Sequence, residues 1–231
     1  MTPTILPSAD TAQRILDIAS RLVQTRGFNG FSYADIAAEL QVTKASLHYH
    51  FPTKADLGRR LIERYERNFV DALQGIDRAA ADDFDRLLRY ARIYAEVLAE
   101  RQMCLCGMLA AEHGTLPEPM RLVLQHYFDR NEDWLAGVLE RGRGAGQLRF
   151  DGQPRQVAAM LVGALEGAMM LARSYGDPGR FANAAGRLLA DLHAPAMKRA
   201  PVKRAPPVRR AAAKRAPDAR RGKLAAPSRA R

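Results

Sequence analysis

Cysteine is scarce, with two in 231 residues, so a disulfide framework is excluded and a reducing compartment is expected. The opening residues, MTPTILPSAD, hold neither a basic stretch nor a long apolar core; no secretory leader is expected, and cytoplasm is the expected location. Strand-type alternation is missing, and apolar residues recur at three- and four-residue spacing instead, which excludes a β-rich fold. There is no phosphate loop and no nucleophile elbow, and Glu112, His113 and His126 do not stand at metal-ligand spacing. These absences argue against an enzyme, a cofactor and a metal. The longest apolar run, 157–172, is shorter than a membrane span and carries Glu166, so no membrane partner is expected. What is present is 47% hydrophobic residues, ample for a core, on a chain long enough for two domains.

The formal net charge of +11 is unevenly placed. Residues 195–231 hold four lysines and nine arginines against one aspartate, a balance of +12, which leaves the rest of the chain near neutral at −1. With KRAP-like repeats and almost no large apolar residues, this segment is expected to be a disordered basic tail. It reads as a nonspecific tether to DNA phosphate, or as a solubilising extension.

The stretch SYADIAAELQVTKASLHYHFPTKADL, residues 32–57, reads as a helix, a tight turn and a second short helix. Ser32 is an N-cap for a helix beginning at Tyr33 that buries Ile36, Ala37 and Leu40. Gln41 and Val42 form the turn, and Thr43 caps the second helix, 44–51. On that helix Leu47 and Phe51 share the inward face, while Lys44, Ser46, His48, Tyr49 and His50 crowd the remainder with hydrogen-bonding groups. Pro52 ends it, and Thr53 caps the next helix, placing Lys54 at an amide-rich start suited to phosphate.

From the helix DIAAEL through YHF to Lys54 and Leu57, these residues resemble the DNA-binding domain of TetR-family transcriptional regulators. The likeness covers roughly residues 11–58, including a first helix 11–26 and the turn Gly27-Phe28-Asn29-Gly30-Phe31. His48 departs from the pattern, standing where tyrosine is commoner. The resemblance implies a recognition helix in the major groove of an operator, with Thr43, Lys44, Ser46, Tyr49, His50 and Lys54 touching DNA; Ser32, Tyr33, Ala45 and His48 complete the expected DNA-binding set. Within it, Tyr49 and Lys54 are expected at phosphates, and Lys44, Ala45 and His48 at base edges.

The chain is expected to be all-α in three parts: a three-helix helix-turn-helix domain (1–54), a helical ligand-binding and dimerisation bundle (55–194) and the tail (195–231). Further helices are expected at 54–76, 82–100, 105–113, 119–143, 154–174 and 179–192. The run 157–172 is apolar nearly all round, and its small residues Gly163, Ala164, Gly167 and Ala168 suit close approach of a second copy. The resemblance likewise implies a homodimer reading a palindromic operator, usually a repressor released by a small molecule.

The segment Met103-Cys104-Leu105-Cys106-Gly107-Met108-Leu109 is similar to a stretch in an electrophile-responsive TetR subgroup. Cys104 or Cys106 is therefore a candidate sensor thiol, provided a helix start stabilises its thiolate. If both lie on one helix, a two-residue separation turns them about 200° apart, against an internal disulfide or a shared metal. Tyr94, Met108, Tyr127, Trp134, Met169, Met170 and Arg173 are further ligand-binding candidates, with His126 and Glu166 as polar orienting groups. Two other functions compete: a histone-like DNA organiser acting through the tail, and an enzyme pairing a cysteine with His126.

Overall fold

A computed structural model describes residues 8–194; the expected tail lies outside them. Nine α-helices occur among the described residues: α1 (Ser8–Arg26), α2 (Tyr33–Leu40), α3 (Lys44–His50), α4 (Lys54–Ala79), α5 (Asp83–Ala99), α6 (Leu105–Ala111), α7 (Glu118–Gly144), α8 (Pro154–Tyr175) and α9 (Pro178–Ala190). The fold is all-α, a helix-turn-helix followed by a helical C-terminal domain.

Local chemistry sets the N-terminal helix starts. Ser32 and Asp35 form a capping box on α2, and Thr53 and Asp56 form one on α4, each N-cap side chain meeting an early amide while the carboxylate returns to the cap's own N–H. Thr43 caps α3 with Oγ1 accepting from Ser46 N at 3.3 Å. Between α2 and α3 the chain reverses at Gln41, a non-glycine in the left-handed region (φ 57°, ψ 40°). That conformation costs roughly 1–2 kcal/mol, offset by Val42 N donating to Ala37 O at 3.0 Å. Helix α3 stops one residue before expectation, because Phe51, preceding Pro52, is extended at φ −136°, ψ 93°.

Leu47 and Phe51 of the α3 segment join Ile15, Leu22, Ile36 and Leu57 in the buried core of the N-terminal domain. Helix α4 continues into the C-terminal body, where it packs on α7; α7 packs on α8, and α8 on α9. Its apolar stripe, Leu57, Leu61, Ile62, Phe69, Leu73 and Ile76, is buried along its length. Helix α6 ends at Ala111, two residues short of expectation, followed by a 3-10 turn at His113–Thr115.

Helix α8, at 22 residues, is long and apolar enough by length and composition to cross a membrane, yet Leu161, Leu165 and Met169 lie in the protein core. Its other face presents Met160, Gly163, Ala164, Met170, Leu171 and Tyr175 outward, with Leu171 60% exposed. A Cβ placed on Gly163 or Gly167 meets open space.

Candidate functional site

The surface of α3 is built from a buried anchor outward. Leu47 fixes the helix from below, leaving Thr43, Lys44, Ala45 and Tyr49 exposed, with Ser46 and His50 half-buried beside them. Tyr49 projects furthest, 78% exposed, its ring edge-on to His50 at 5.1 Å. This supplies a cation, a methyl, hydroxyls and an imidazole on one short convex face, the chemistry that meets phosphates and base edges.

Three residues expected on this face have other partners. Tyr33 is buried, its hydroxyl donating to Phe51 O (2.8 Å) and Thr53 O (2.7 Å); burial and then the Asp56 charge push it up to about 12. It joins the end of α3 to the start of α4. Lys54 turns inward, its Nζ donating to Phe28 O at 2.5 Å and to Phe31 O. The same ammonium lies over both phenyl rings, 4.6 and 4.3 Å from their centroids, and burial lowers its pKa despite Glu112 and Asp35 nearby. His48 is exposed, but Nδ1 donates to Pro52 O at 3.0 Å and the ring tilts against Tyr33 at 4.8 Å, which leaves Nε2 for an outside partner.

The cysteine segment lies in the core. Cys104 is the N-cap of α6, its Sγ accepting from Gly107 N at 3.4 Å and from the Tyr65 hydroxyl at 3.7 Å. Cys106 is buried further along the same helix. Burial pushes both thiols well above the usual range, and the Glu166 charge raises Cys104 further. The single Gly107 amide at the helix start lowers the Cys104 value without offsetting its burial. Glu166 lies against α6, where a Cβ on Gly107 would sit 2.2 Å from its Oε2. Neither carboxylate oxygen has a hydrogen-bond partner among the described residues. Burial pushes Glu166 up to about 7, with the Cys104 thiol close enough to pull it partly back without reaching hydrogen-bond geometry.

The other ligand candidates divide by location. Tyr94, Tyr127 and Met169 gather around Cys104 with Tyr65, in a space too tight to hold a water molecule. Met108 is half-buried behind them. Trp134 and Tyr127 line a separate cavity of about 220 Å³ between α4 and α7. His126 is exposed outside it, 3.5 Å from Glu66. Met170 lies on the outward face of α8. Arg173 lines another cavity, of about 500 Å³, with Leu98, Gln102 and Pro178, and its guanidinium donates to Gln24 O (3.1 Å) and Thr25 O (2.5 Å) at the end of α1.

That last contact belongs to a seam between the core and the DNA-binding domain. Gln24 Nε2 donates to Met103 O at 3.0 Å, and Met103 N donates back to Gln24 O at 3.1 Å. At the far end of α6, the Glu112 carboxylate accepts from Phe28 N (2.8 Å) and Asn29 N (3.1 Å), while Asn29 Nδ2 donates to Thr115 Oγ1 at 2.7 Å. Gly27, at φ 86°, turns these amides toward the carboxylate. Any Cβ there would meet Glu112 Oε1 at 2.3 Å. Helix α6 thus starts at a core thiol and ends on the turn of the DNA-binding domain.

Residues 15–61 match the family model described as bacterial regulatory proteins, tetR family, and residues 84–188 match tetracyclin repressor-like, C-terminal domain. A solved TetR-family transcriptional regulator from Agrobacterium tumefaciens has a TM-score of 0.79 at 32% identity, over 81% of this chain and 100% of that one. The chain belongs to the TetR family.

Other relatives sharpen the placement. The transcriptional regulator AcuR of Cereibacter sphaeroides is 28% identical over 179 residues, 74% of this chain and 80% of that protein. The HTH-type transcriptional repressor NemR of Escherichia coli is 27% identical over 168 residues, 71% of this chain and 84% of that protein. The structure of reduced NemR has a TM-score of 0.72 at 26% identity, over 81% and 99% of the two chains. As a TetR-family protein the chain is a DNA-binding transcriptional regulator; such regulators are dimeric and take small-molecule effectors.

Sequence reasoning named Glu112 and Gly107 but missed their roles, one closing the Gly27–Asn29 turn and the other leaving room for the Glu166 carboxylate. The closely spaced glycines Gly27 and Gly30 signal the turn, but nothing local signals that Glu112, 84 residues beyond Phe28, closes it.

Proposed function

We propose that this TetR-family regulator is a cytoplasmic repressor whose two α3 helices grip a palindromic operator and release it when the core around α6 is altered. The trigger is a small molecule, or modification of Cys104 or Cys106 by an electrophile. The observation that supports this reading is the course of α6, from Cys104 in the core to Glu112 on the Gly27–Asn29 turn. A shift of a packed helix by even a small distance changes a contact at its other end, because dense interiors pass displacement on rather than absorbing it. The repressor sense draws on NemR, described as an HTH-type transcriptional repressor.

On DNA, Lys44, Ala45 and the free Nε2 side of His48 take the base edges, with Thr43, Ser46, Tyr49 and His50 on or near the phosphates. Lys54 supports the domain through Phe28 and Phe31 rather than reaching phosphate. The half-site spacing is set by pairing across the outward face of α8, where Gly163 and Gly167 leave room for a second helix.

Selection of bound fragments from genomic DNA in the presence of competitor DNA should enrich a palindrome. A quinone or unsaturated aldehyde should then lower affinity for that palindrome in the wild type and not in the Cys104→Ser, Cys106→Ser double variant. An equal response from the double variant assigns release to a pocket ligand. Failure to enrich any site favours the organiser reading, which rests on the +12 balance of residues 195–231.

A further inference from the structure

The end of α5 places a cation where a helix terminus normally takes glycine. Gln102 N donates to Val97 O at 3.1 Å and Arg101 N to Leu98 O at 2.9 Å, the paired closing bonds of a helix whose next residue turns left-handed. That residue is Arg101, at φ 59°. Its guanidinium is thereby fixed at the corner between α5 and the Met103–Cys104 segment.

Arg101 lines the cavity of about 500 Å³ that also holds Gln102 and Arg173. The volume falls within the roughly 300–1,000 Å³ of sites for small organic molecules. Leu98, Ala172 and Pro178 give it apolar walls, so its occupant has an apolar body as well as a polar end.

The charge of the lining is one-sided. Two guanidiniums border the cavity and no carboxylate does. Among the described residues neither Arg101 nor Arg173 enters an ion pair. The acids beside the cavity in the chain are turned elsewhere: Asp177 accepts from Gly179 N at 2.9 Å at the start of α9, and Glu100 is exposed without lining it. Arg173 meets only the uncharged carbonyls of Gln24 and Thr25, and a guanidinium carries more N–H groups than those two bonds use. A carboxylate holds a guanidinium more strongly than a neutral carbonyl does, and its two oxygens match the planar fork.

We infer that this cavity binds an organic anion, a carboxylate on a small apolar body, whose oxygens take hydrogen bonds from Arg101 and Arg173 while the body lies against Leu98 and Pro178. The ligand then competes with the end of α1 for Arg173, at the seam that joins the core to the DNA-binding domain. The site deepens the proposed release by a small molecule and rests on that reading only for the consequence of binding.

The test titrates the full-length protein calorimetrically, at constant ionic strength, with benzoate and with its uncharged counterpart benzamide, and reads inorganic phosphate by competition against benzoate. Benzoate should bind saturably, with benzamide and phosphate each at least about tenfold weaker, the effect of losing one charge-assisted hydrogen bond or the apolar contact. Arg101→Gly removes the cation and gives the left-handed position the residue that suits it, so its melting temperature should not fall. Its benzoate affinity should drop at least about tenfold and its benzamide affinity should stay the same. Equal binding of benzoate and benzamide, tighter binding of phosphate, full benzoate affinity in Arg101→Gly, or no binding of any probe overturns the inference. Operator release is read separately: saturable benzoate binding with unchanged DNA affinity keeps the site and removes the release reading. Release by benzoate that persists undiminished in Arg101→Gly does the reverse.

Discussion

Tyr33 and Lys54 show how a residue can be correctly noticed for its position and misread for its direction. Both fit a DNA-facing pattern, yet one supports the α3–α4 joint and the other crosses two phenyl rings to reach backbone carbonyls. Nothing in their neighbours along the chain shows which way a long side chain turns, because the carbonyls that attract Lys54 belong to a turn 23 and 26 residues earlier. Glu166 was legible as a polar residue in an apolar helix, but its environment was not. With its pKa raised from 4.5 to about 7, the folded state holds the proton more tightly than the unfolded chain. The stabilisation linked to that proton is fully present below about pH 4.5 and is lost as pH rises through about 7. The amount is on the order of 3 kcal/mol. Glu166→Gln should flatten this part of the stability profile and give the higher melting temperature above neutrality. Parallel profiles for the two proteins in denaturant melts across this range would refute it.

Helix starts were readable because an N-cap acts within three residues; Ser32, Thr43 and Thr53 each mark theirs. The end of α6 was not, because Glu112 leaves its own helix to serve a distant turn. Glu112→Ala should lower stability by about 1–3 kcal/mol, the usual range for removing charge-assisted hydrogen bonds, and should speed hydrogen exchange at the Phe28 and Asn29 amides. Unchanged protection at those two amides would show that the carboxylate does not hold them. For α3, the outward placement of Lys44 and Tyr49 leads to an equally direct expectation. Alanine at both should reduce operator affinity at least about tenfold, each side chain's hold on DNA being worth roughly 1 kcal/mol or more, while dimer mass in sedimentation stays the same. Wild-type affinity would mean that α3 is not the reading element.

At the scale of the whole molecule, the helix-turn-helix followed by a helical body was legible in the sequence, and the small residues on the outward face of α8 are where pairing between copies is proposed. The open space at Gly163 makes the second point testable: Gly163→Leu fills a site that is empty in one protomer and should be occupied in the pair. The variant should remain folded by circular dichroism and sediment as a monomer; an unchanged dimer would place the interface elsewhere. Removing residues 195–231 should make operator binding less salt-sensitive, the logarithmic slope falling by up to about 0.9 for each phosphate that the segment neutralises. An unchanged slope in a salt titration would separate the basic segment from DNA. The Glu112 carboxylate, seated on amides that Gly27 alone can present, also bears on how such regulators are recombined. A hybrid made by grafting this helix-turn-helix onto a foreign sensor body inherits the turn without its anion, and the exchange of reading heads should succeed only where the incoming body supplies an acid at the matching position.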